Sequence, residues 1–64
     1  MGYKIEEARK KQGLTQNQLS EKSGISRTII SGLESGRISV TTTGTLKKIA
    51  DALGVKIEDI FFTP

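Results

Sequence analysis

Apolar residues recur along this chain in short bursts at helical spacing, and most bursts end at a glycine. The clearest is Leu46, Ile49, Ala50 and Leu53, which fall at i, i+3, i+4 and i+7 and form one stripe of an amphipathic helix. It predicts a helix from about Thr45 to Leu53, closed by Gly54. A first helix is predicted from about Lys4 to Gln12. Ile5, Ala8 and Gln12 share a face there with Arg9 beside them, and Glu6 and Glu7 open the segment while Lys10 and Lys11 close it, the order a helix dipole favours. Gly13 stops it. A second runs from about Gln16 to Ser23, with Thr15 and Gln18 spaced as a capping box. Leu19 is its main apolar residue, and the small Ser20 permits a close helix crossing. A third runs from about Arg27 to Ser35. Ser26 is its N-cap, Ile25 stands just ahead as a staple residue, Ile30 and Leu33 face inward, and Gly36 ends it.

The stretch from Arg37 to Gly44 is rich in β-branched residues and reads as an extended loop, because no partner strand is evident elsewhere. A last short helix, about Ile57 to Phe61, presents Ile57, Ile60 and Phe61. Five short helices with tight connections predict an all-α globule. Between the second and third helices lies only Ser23-Gly24-Ile25-Ser26. A turn of that length containing glycine sets two helices at roughly 90–120°. The third helix should therefore stand proud of the domain with its polar side outward.

Composition narrows the chemistry. Sixty-four residues suit one domain, spanning 1–64, whose core is small: a chain this short buries about 60% of its unfolded surface. There is no Cys and no His, which removes disulfides, thiol nucleophiles, imidazole bases and the usual zinc ligands. Neither metal nor cofactor is expected. The acids are scattered and no glycine-rich phosphate loop has the required spacing, so an enzyme is not expected. No apolar run is long enough to span a membrane, and Met1–Lys11 is too charged for a signal peptide; the cytoplasm is the expected location. The net charge of +3 is unevenly placed. Residues 1–37 carry the whole excess, while residues 38–64 are neutral. A basic excess of this kind suits a polyanionic partner, though ordinary surface scatter produces the same numbers.

Arg9, Gly13-Leu14-Thr15-Gln16, Leu19, Gly24-Ile25-Ser26-Arg27, Ile30-Ser31, Glu34-Ser35-Gly36 and the run from Leu46 to Val55 together resemble the phage repressor and Cro-type (xre) helix-turn-helix family. The resemblance spans residues 5–61, with the helix-turn-helix at about 16–35. It implies a compact five-helix repressor-like fold and a sequence-specific regulator that binds double-stranded DNA. The helix from Arg27 to Ser35 would be the recognition helix. Arg27, Thr28 and Ser31 would contact bases; Ile29 reads either as a further base contact or as partly buried core. Arginine suits the O6 and N7 acceptors of guanine, and Thr or Ile the methyl of thymine. Gln16, Asn17, Ser26 and Arg37 would contact phosphates, which fix register rather than choose sequence, and Gln16 would also brace the recognition helix. Arg9 and Glu34 would form a buried or half-buried ion pair. Lys47 and Lys48 read as a solvated face.

A two-fold homodimer would set two recognition helices about 34 Å apart on the duplex. Ile60, Phe61 and Phe62 are the candidates for its interface, Phe61 reading equally as core. Sixty-four residues leave no room for an effector domain, so repression by occupying DNA is the simplest regulation expected. The alternative is a helix-turn-helix module that docks another protein, as antitoxins and coactivators do. Gly32 departs from the family, standing where a longer polar side chain is frequent, so one reading position is expected to be empty and the helix loosened. Lys56 stands where Ser or Thr often caps the last helix.

Overall fold

Three of the helices open on a hydroxyl cap. The computed structural model describes residues 2–38 and 40–62, except the side chains of Phe61 and Phe62. Five helices appear in order: α1 (Ile5–Lys11), α2 (Gln16–Ser23), α3 (Arg27–Ser35), α4 (Thr43–Leu53) and α5 (Ile57–Ile60). At the start of α2 the Thr15 hydroxyl accepts from the Gln18 amide at 3.1 Å, and the Gln18 side chain accepts from the Thr15 amide at 2.8 Å. This is the reciprocal capping box read from the sequence. The Ser26 hydroxyl accepts from the Ile29 amide at 3.3 Å and opens α3.

Two boundaries differ from expectation. Helix α4 begins two residues early, because Thr42 is the cap and accepts from the Thr45 amide at 3.1 Å. The last helix stops at Ile60, and Phe61 does not continue it. Instead β2 (Phe61–Phe62) pairs antiparallel with β1 (Gly2–Tyr3), in the register Gly2 to Phe62 and Tyr3 to Phe61. The Lys4 amide extends the ladder, donating to the Ile60 carbonyl at 2.7 Å. The fold is therefore all-α with a two-residue ladder clasping its ends, a feature absent from the sequence reading. Lys56 lacks a capping hydroxyl, yet its amide donates to the Asp59 carboxylate at 3.0 Å, so half of a capping box survives.

One core serves all five helices. Ile5, Leu19, Ile30, Leu33, Ile49, Leu53 and Ile60 are fully buried, with Ile25, Leu46, Ala50 and Ala52 around them. Each helix contributes at least one buried apolar residue, and burial of apolar surface at about 25 cal/mol per Å² drives their assembly. The polar sides are left outward, and on α3 that side carries the candidate site.

Candidate nucleic-acid interface

The turn between α2 and α3 is held by side chains as well as by its backbone. Gly24 has φ +77°, a left-handed conformation that costs a β-carbon-bearing residue about 1–2 kcal/mol. The Ile25 amide donates to the Ser23 hydroxyl at 3.1 Å, and the Ser20 hydroxyl donates to the Ile25 carbonyl at 2.6 Å. Ser20 thus ties α2 to the turn, a more specific task than permitting a close crossing. Ile25 itself enters the core, which sets where α3 begins.

On α3, Arg27 and Thr28 are exposed and Ser31 is half-buried; none lies beneath another helix. Together with Arg37, from the segment after the helix, they line one shallow depression of about 240 Å³. Three of the expected base contacts and one expected phosphate contact therefore meet in one place. Ile29 is 37% exposed and belongs to the surface rather than the core. Asn17 and Ser26 are exposed and Gln16 is half-buried, at the N-terminal ends of α2 and α3 where helix amides lack intrahelical acceptors.

Behind this surface lies a buried polar network. The Arg9 guanidinium donates to Glu34 twice, Nε to Oε2 at 2.8 Å and Nη2 to Oε1 at 3.0 Å. A third donation runs from Nη1 to the Leu14 carbonyl at 2.9 Å. Gln16 Nε2 donates to Glu34 Oε1 at 2.9 Å. The two charged side chains are 10% and 5% exposed. The expected ion pair thus joins α1 to the end of α3, and Gln16 adds the start of α2 to the same carboxylate. The hydrogen bond to Glu34 is the main reason the Arg9 pKa lies above arginine's ordinary value; burial opposes it, and the Coulomb attraction of Glu34 and Glu6 supports it. No buried side-chain polar atom among the described residues is left without a partner.

Gly32 corrects the sequence reading. Its position is not empty: it is buried, and Ile38 covers it. A β-carbon placed on Gly32 would collide with Ile38 Cδ1 and lie 2.6 Å from Ile38 Cγ1. The chain doubles back after Gly36, and the Ile38 amide donates to the Gly32 carbonyl at 2.9 Å. In the sequence Ile38 reads as one β-branched residue of an extended loop. The pairing of a glycine in mid-helix with an apolar residue six positions on was the signal available.

The remaining site residues fall as follows. Lys47 pairs with Asp51 at 3.1 Å on an exposed face of α4, and Lys48 is exposed there. Ile60 is fully buried, so it has no surface to offer a second subunit; it completes the core instead. The side chains of Phe61 and Phe62, expected at the same interface, lie outside the described residues. Gln12, expected on the inner face of α1, is exposed, but its Nε2 donates to the Leu53 carbonyl at 3.1 Å and satisfies the end of α4. No described helix is long and apolar enough to cross a membrane.

Two helices joined by a tight glycine turn, the second with an open polar side, define a helix-turn-helix protein. The chain belongs to the helix-turn-helix family, whose model matches residues 5–60. It is 48% identical over 58 residues to an uncharacterized helix-turn-helix transcriptional regulator of Methanothermobacter thermautotrophicus, covering 89% of this chain and 83% of that protein. It is 36% identical over 61 residues to the transcriptional repressor RghR of Bacillus subtilis, covering 95% of this chain and 45% of that protein. It is 37% identical over 60 residues to the immunity repressor of Bacillus phage phi105, covering 94% of this chain and 41% of that protein. The chain thus spans less than half the length of the Bacillus and phage relatives. All three are named as regulators or repressors, none as an enzyme. No solved structure gives a significant match.

Proposed function

We propose that this chain is a transcriptional regulator that binds double-stranded DNA with α3 in the major groove and represses by occupying its site. The observation that carries this reading is the cluster of exposed Arg27, Thr28 and Arg37 with half-buried Ser31 around one depression beside α3. Arg27 reads guanine, Thr28, Ser31 and Ile29 meet neighbouring base edges, and Arg37, Gln16, Asn17 and Ser26 hold phosphates. Gln16 reaches the backbone while tethered to Glu34, so the phosphate contact and the placement of α3 are coupled through one side chain. A second copy related by a two-fold axis would supply the other half-site, since one short helix reads only a few base pairs. The cytoplasm is the fitting location for such a protein.

The test is a selection of random duplexes with the wild-type protein, followed by the Arg27→Ala variant on the enriched sequence. An enriched site, with discrimination at one guanine reduced by about 1–3 kcal/mol in the variant and its melting temperature unchanged, is the expected result. Unselective binding that ignores salt would overturn the reading in favour of a protein-docking module.

A further inference from the structure

We propose that Ile38, folded over Gly32, is a specificity-determining residue that meets DNA with an apolar surface in place of a hydrogen-bonding side chain. The inference rests on the DNA-binding reading above. Gly32 lies four residues beyond Thr28 and three beyond Ile29, on the same side of α3. Thr28 is exposed and Ile29 partly so, whereas Gly32 is buried. What buries it is the returning chain. The amide of Ile38 is bound to the carbonyl of Gly32 at 2.9 Å, and the Ile38 side chain takes the volume a β-carbon at Gly32 would need.

A β-carbon at Gly32 would force the Ile38 side chain to move, and the bond from the Ile38 amide to the Gly32 carbonyl holds the isoleucine over the glycine. Ile38 is half-buried, packed against the core yet with part of its surface outward. At position 32 the helix therefore offers no side-chain donor or acceptor of its own; beside the Ser31 hydroxyl stand only the methyls of the neighbouring loop. An apolar group in a major groove has one complementary feature among base edges, the 5-methyl of thymine. Arg37, the adjacent residue, lines the same depression as Arg27, Thr28 and Ser31.

Uracil substitution tests this directly, because it removes the methyl and leaves every hydrogen-bonding group of the base in place. Each thymine of the duplex enriched by the wild-type protein is replaced singly by uracil, and affinities are measured for wild type, Ile38→Ala and the milder Ile38→Thr, with melting curves confirming which variants are folded. For wild type, one thymine in each half-site should weaken binding about three- to five-fold when its methyl is lost. In the folded Ile38 variants that thymine should become indifferent to the change, while thymines met by Thr28 or Ile29 keep their response. Selective binding with no thymine sensitive to uracil, or with the wild-type pattern retained in a folded Ile38 variant, would overturn the proposal and leave the DNA-binding reading intact. Failure to enrich any duplex would instead end both.

Discussion

Arg9 ties α1 to two later segments, since its three donations reach Glu34 on α3 and the Leu14 carbonyl before α2. Glu34 is 5% exposed, so removing its partner strands a carboxylate that water cannot reach. Arg9→Ala should destabilise the domain by about 3–5 kcal/mol, a large share of the total of about 5–15 kcal/mol typical of small domains. Thermal melts should show a loss well beyond about 10 °C. Arg9→Lys, which keeps the charge but not the bidentate fork, should recover only part of it. The pH dependence follows from the raised Arg9 pKa. Its contribution is complete below arginine's unfolded value and disappears only as pH climbs through the still higher folded value. The gap between wild type and Arg9→Ala should therefore be constant from about pH 8 to about pH 10. A gap that closes over that interval would show that the stabilisation comes from elsewhere. The Arg9–Glu34 pair was legible through the family resemblance. The resemblance also implies that Gln16 braces α3, and the bond to Glu34 is that brace; that its acceptor is the carboxylate already held by Arg9 was not legible, because only the relative placement of α1, α2 and α3 brings the three side chains together.

Among the elements, α2 and α3 were readable to the residue because each has one strong cap at its start and a glycine just past its end. Helix α4 was readable in its apolar stripe but not in its start. Thr41, Thr42, Thr43 and Thr45 all offer a hydroxyl, and β-branched residues beside Gly44 have poor helix propensity. The Thr42 hydroxyl, accepting from the Thr45 amide, and the Thr42 carbonyl, accepting from the Leu46 amide at 3.2 Å, set the start at Thr43 despite that propensity. The assignment makes a sharp contrast between neighbours. Thr42→Ala removes the acceptor for the Thr45 amide and should cost about 1 kcal/mol, whereas Thr43→Ala, on an exposed first turn, should stay within about 0.5 kcal/mol of wild type. Denaturant titrations of the two variants settle which threonine is the cap; equal losses would mean the helix begins elsewhere. The end of α5 was misread for a different reason. Its continuation depends on β1, a segment far away in sequence, and a two-residue ladder leaves no periodicity to detect.

At the scale of the whole molecule the cations divide by what they already do. Arg9 is committed to Glu34, Lys10 pairs with Glu6 and Lys47 with Asp51. Arg27 and Arg37 instead share a depression with no acid among its lining residues. If these two meet DNA, few counterions are displaced per subunit, and the salt dependence should be measurable but shallow. The logarithm of the association constant should fall with the logarithm of salt concentration at a slope of about 1 to 2 per subunit. A dimer on an inverted repeat should double that slope, so the same titration reports how many copies engage the duplex. Arg37→Ala should lower the slope by about one per subunit and weaken all sequences alike, since a phosphate contact carries no base information. Arg27→Ala should act mainly on the preferred sequence. Titrations of wild type and both variants on preferred and unrelated duplexes, between about 50 and 200 mM salt, separate the two roles. A steep slope untouched by Arg37→Ala would place the phosphate contacts on the exposed lysines, Lys22 of α2 among them, rather than on the segment after α3.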